Sequence, residues 1–165
     1  MESKKKNPHH IVISPENFSA LLRSREFVTA IVGAAVIEQS LDSILTAIMV
    51  NDSGFVNKLL DRATLDIKIK TAYALNLIDK ETKNELDCIR NIRNEFAHSV
   101  NPELSFQDSP VRELCNNLST VKSKKSSNTH QLTDLFNQAI VENLRRIVQK
   151  ESELKFSLRD LYLHS

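Results

Sequence analysis

The chain has 165 residues, 41% hydrophobic and 26% charged, with a net charge of +1. That length suits one domain whose core buries roughly 70% of the unfolded surface, and the near-zero net charge supplies no global field to recruit nucleic acid or an anionic membrane. Only 2 glycines and 4 prolines serve the turns, a scarcity that argues against many short strands and predicts long helices.

In chain order, the opening MESKKKNPHHIVIS is basic with a short apolar run, too short for a signal-peptide core. Residues 1–13 are expected to form a flexible tail. Ser14, Pro15 and Glu16 form a helix start, with proline in the first turn and an acid near the positive helix end. That helix should end near Arg23. Ser24 can cap a second helix reaching about Val50, with Phe27, Ala30, Ile31, Ala34, Leu41, Leu45 and Ile48 on one face. Glu38, Gln39, Ser40 and Asp42 interrupt it, which argues against a membrane span and for a cytosolic protein.

The sequence NDSG at 51–54 stops that helix, and Phe55 begins a helical turn or two. A helix follows from Thr64 to about Leu77, and Asp79 caps the next, which runs to His98. Tyr73 is expected on the apolar stripe of Ile69 and Ala72. After a break over 99–105, Asp108 or Ser109 with Pro110 restarts a helix. The polar run KSKKSSNT at 122–129 reads as a loop. A last long helix is expected over 130–152, with residues 153–165 a tail or one more short helix. The predicted fold is all-α, a single-domain bundle of five to seven helices occupying residues 14–152. Cys88 and Cys115 are too few for a disulfide framework and lack metal spacing, so both read as reduced, small apolar residues. No metal or cofactor motif is present.

The stretch IRNIRNEFAHS, residues 89–99, crowds two arginines, two asparagines and a histidine onto one amphipathic helix. On a wheel, Leu86, Ile89, Phe96 and Ala97 mark the apolar face, Arg93 falls near its centre, and Arg90 lies on a flank. An arginine there needs a carboxylate partner. Glu38, with Asp42 beside it, sits among the apolar positions of the second helix, and a buried Glu38–Arg93 ion pair between the helices is predicted. Glu38, Asp42, Arg90 and Asn94 form the expected polar cluster. His98, at the helix end, favours the negative end of the helix dipole; next to an arginine it also offers acid–base chemistry without a metal.

RNEFAH at 93–98 resembles the Arg-x4-6-His motif of the HEPN superfamily, all-α domains that include metal-independent endoribonucleases. That resemblance implies Arg93 and His98 as catalytic residues acting on RNA. A longer match covers residues 59–118. The run IKTAYALNLI at 69–78, followed by IRNEFAH at 92–98, resembles the mannitol operon repressor family. It implies a transcriptional regulator. The helix from Lys80 presents Lys83, Asp87, Asn91, Asn94 and Glu95 outward, mixed in sign and poor in phosphate-binding bases. The sequence therefore favours regulation through a protein partner over direct DNA reading, and homodimerisation through the long final helix or the GAA run at 33–35. The alternative is the ribonuclease.

Overall fold

The computed structural model describes residues 24–49, 52–99, 101–123 and 132–163, with side chains described through residue 156. The helix expected at 14–23 and all but the first two residues of the loop expected at 122–129 lie outside the described residues. Seven helices occupy the rest: α1 Arg25–Ile48, α2 Ser53–Arg62, α3 Leu65–Ala74, α4 Lys80–His98, α5 Ser109–Cys115, α6 Ser119–Lys122 and α7 Leu132–Leu163. Among the described residues there are no strands, and the fold is all-α.

Short polar side chains set the starts. Ser24, Asp52, Thr64 and Asp79 each accept a hydrogen bond from the backbone N–H three residues on, relieving one orphan donor of α1, α2, α3 and α4. Asp52 therefore opens a full α-helix where only a turn or two was expected. At the other end of α3, Asn76 takes a left-handed conformation with φ of 57°. The N–H of Leu77 then reaches back to the carbonyl of Ala72 at 2.9 Å, closing the helix three residues earlier than expected.

Helices α1, α4 and α7 form the core. Ala30, Ile37, Leu41 and Ile44 of α1 are buried with Leu86, Ile89, Ile92 and Phe96 of α4 and Leu135, Phe136, Ala139 and Ile147 of α7. Phe106, from the break after α4, lies between Phe96 and Phe136 with ring centroids 5.1 and 5.0 Å away. Its backbone N–H donates to Glu26 Oε2 at 2.9 Å, which holds the break against the start of α1.

Helices α1 and α7 run parallel. Glu26 accepts from Thr133 at 3.1 Å, and Ser43 donates to Glu151 at 2.8 Å. Between them Gly33 meets α7 so closely that a Cβ there would lie 3.2 Å from Ile140 Cγ1. By length and composition α1 is apolar enough to cross a membrane; a packed core helix passes the same test, and here Ala30, Ala34, Ile37, Leu41, Ile44 and Leu45 are all buried in the bundle. Helix α7, expected to stop near Ser152, continues unbroken to Leu163. Tyr73, expected on an apolar stripe, is exposed, as is Ala97. Both cysteines are free thiols. Burial pushes the Cys115 thiol up to about 12 and raises that of Cys88.

Candidate functional site

Helix α4 brings Arg90, Arg93 and Asn94 to one cleft, which Glu38 of α1 and the first residues of α3 complete. Its volume is about 370 Å³, at the lower end of the roughly 300–1,000 Å³ that small-molecule sites occupy.

The expected Glu38–Arg93 pair is not formed. Glu38 Oε1 instead accepts from Lys68 Nζ of α3 at 2.8 Å, and the same ammonium donates to Asp42 Oδ2 at 2.9 Å. The Lys68 side chain is only 5% exposed, while both carboxylates keep about a third of their surface in solvent. Burial pulls the Lys68 pKa down, but hydrogen bonds and charges from Asp42 and Glu38 outweigh it and hold the ammonium above the ordinary lysine value. The wheel set Glu38 on the apolar face of α1 as a buried acid; the structure leaves it about a third exposed, and the wheel could not say which helix its carboxylate would meet. Lys68 was missed, although its signal was present: Leu65, Lys68, Ile69 and Ala72 occupy i, i+3, i+4 and i+7, an apolar helix face with a lysine in it. All but Leu65, which is half-buried, are buried.

Arg90 is tied down on two sides. Its guanidinium pairs with Asp66 of α3 and lies 3.7 Å from Asp87 one turn earlier. Asp66 also holds Lys70 at 2.7 Å, and Asp87 holds Lys83 at 2.8 Å. Arg93 differs. It is half-buried rather than buried, and its hydrogen bond goes to the neutral side chain of Asn94, Nη1 to Oδ1 at 3.1 Å. No described carboxylate lies within ion-pair distance of it. His98 is the last residue of α4, exposed, and is not among the residues lining the Arg93 cleft. Of the residues singled out in the sequence, then, Glu38, Arg90, Arg93 and Asn94 share the cleft, Asp42 joins through Lys68, and His98 lies outside the lining. Among the described residues no group of three or more His, Cys, Asp or Glu is placed to hold a metal ion.

A second surface is apolar. On α1, Val28, Val32 and Val36 recur at i, i+4 and i+8, with Val32 53% exposed. Between Val28 and Ser43 the exposed positions of α1 carry no charge. On α7, Val141 and Val148 are exposed one heptad apart. Each set lies about a quarter turn from the α1–α7 contact line, in opposite senses. Because the helices are parallel, opposite senses place both sets on the same side of the pair.

The fold and the cleft define a small, all-α domain with a polar cleft of ligand size and a separate apolar helix face. A family model described as mannitol repressor matches residues 15–161. The chain belongs to the mannitol repressor family and is, at the level of that family, a transcriptional regulator. No curated protein and no solved structure matches it.

Proposed function

We propose that the protein regulates transcription in the cytoplasm as a homodimer that engages a regulatory protein partner rather than reading DNA bases itself. The observation that carries the reading is the row of exposed valines on α1, Val28, Val32 and Val36, in a stretch whose exposed positions are uncharged, with Val141 and Val148 exposed beside it on α7. An uncharged face on α1 is self-complementary under a twofold axis, since no like charges on it are brought together. Pairing two copies would bury Val28, Val32, Val36, Val141 and Val148, which otherwise stay in water at about 25 cal/mol per Å².

Direct base reading has less support. If α3 and α4 were the two helices of a helix-turn-helix, α4 would have to enter the groove, yet it packs against α1, α3, α5 and α7. Its buried residues Leu86, Ile89, Ile92 and Phe96 belong to the central core. A recognition helix needs a free face to enter the major groove. The outward Lys83 and Asp87 of α4 neutralise each other at 2.8 Å.

The ribonuclease alternative needs Arg93 and His98 to converge on one open site, and the lining of the Arg93 cleft by Asn94 without His98 weighs toward binding. Light scattering at micromolar concentration tests the dimer: twice the chain mass is expected, and a monomer mass contradicts it. Val32→Asp should give a folded monomer by circular dichroism and lose repression in cells.

A further inference from the structure

We propose that the cleft between α1, the start of α3 and α4 binds a small oxyanion, a carboxylate or a phosphate monoester, with Arg93 as its principal ligand. The cleft is separate from the valine face on which copies of the chain would pair. The ion-pair network beside the cleft joins four carboxylates, Glu38, Asp42, Asp66 and Asp87, to four cations, Lys68, Lys70, Lys83 and Arg90, and Arg93 stands outside it. Each of these four cations is within ion-pair distance of at least one of the carboxylates. The cation without a carboxylate partner is the one that lines the cavity beside a neutral amide.

A half-buried guanidinium without a counter-ion is an electrostatic vacancy in a region where water screens it incompletely. An arginine carries five N–H donors in a planar fork, and one of them is committed here, to Asn94 Oδ1. That bond also orients the asparagine. With its oxygen turned to Arg93, the Asn94 amide nitrogen has both N–H groups left to donate, and no partner is recorded for it among the described residues. Leu65 and Asp66 also line the cleft, and their N–H groups, in the first turn of α3, have no intrahelical acceptor. Guanidinium fork, primary amide and first-turn N–H groups are all donors suited to an oxyanion with two or three acceptor oxygens. Glu38 and Asp66 also line the cleft, but each is held by its own cation, Glu38 by Lys68 and Asp66 by Arg90 and Lys70. They disfavour an anion of more than one or two negative charges. A polyanion is repelled by both.

The test uses the full chain in a chloride-poor, phosphate-free buffer. Inorganic phosphate and, separately, acetate are titrated while the Asn94 side-chain amide and the Leu65 and Asp66 backbone amides are followed by NMR. Saturable shifts of these resonances with at least one of the two anions are expected, and the better ligand tells phosphate from carboxylate chemistry. Arg93→Met should weaken binding by about tenfold or more, and Arg93→Lys by less, because an ammonium keeps the charge and loses the fork. Glu38→Gln should change binding in the other direction, tightening it about two- to fivefold, since it removes a repelling carboxylate and releases part of the Lys68 charge. Absence of a saturable response to either anion overturns the proposal. So does binding that Arg93→Met leaves unchanged, or that Glu38→Gln weakens.

Discussion

Arg90 and Arg93 stand three residues apart on α4 and line the same cleft, yet their surroundings differ in kind. Arg90 ties α4 to α3 through Asp66 and sits over Asp87 of its own helix. Arg93 reaches a neutral amide on the next residue and no carboxylate within ion-pair distance among those described. Charge that is matched within the chain holds the fold together, whereas charge left unmatched at a cavity is available to something else. The same contrast separates the two sides of α1. Glu38 and Asp42 grip Lys68 on one side, while Val28, Val32 and Val36 lie open on the other.

The largest expected effect lies at the matched end of the comparison. Lys68→Met strands Glu38 and Asp42 together and should destabilise the protein by about 2–4 kcal/mol, below the full penalty for a buried charge because both carboxylates stay partly in water. Urea unfolding measures it, and a loss under 1 kcal/mol, on the order of a surface pair, would break the comparison. The stabilisation has a defined pH window. The folded Lys68 pKa lies above the ordinary lysine value of 10.5, so the contribution is fully present below the unfolded pKa and disappears as pH rises through the folded one. Wild-type stability should therefore fall more steeply above about pH 10.5 than that of Lys68→Met.

Arg90→Met comes next, at about 1–2 kcal/mol, because Asp66 and Asp87 each retain a lysine partner. His98→Ala should cost about 0.3–1 kcal/mol, through the helix dipole alone. In the same variant, an RNA cleavage activity present in the wild type and lost on substitution would shift the reading to the ribonuclease; unchanged RNA in both supports binding.

Much of the fold was legible in the sequence. The apolar spacing of α1, α4 and α7 and the caps Ser24 and Asp79 lie where the side chains placed them, since local chemistry decides helix starts and a long period decides burial. Phe106 was not legible: it stands in a non-periodic break and becomes core only because Phe96 and Phe136 flank it. The full length of α7 was legible but not read: past Ser152, Leu154, Leu158 and Leu161 keep the spacing of Ile140, Leu144 and Ile147, and four-residue pairs such as Glu151–Lys155 and Gln149–Glu153 support the helix. At the cleft the residue types were found and one pairing was mistaken. Glu38 marks an acid facing inward, but whether Arg93 or Lys68 meets it depends on how α3 packs against α1, which no wheel contains.

The most direct measurement compares Arg93→Met with Arg90→Met in urea unfolding, in an anion-poor buffer. Arg93→Met is expected to stay within about 0.5 kcal/mol of the wild type, as a side chain with no structural counter-ion should, while Arg90→Met falls clearly below both. A loss at Arg93 equal to or larger than that at Arg90 would mean that Arg93 is part of the structural charge network, and the division between matched and available charge would be wrong.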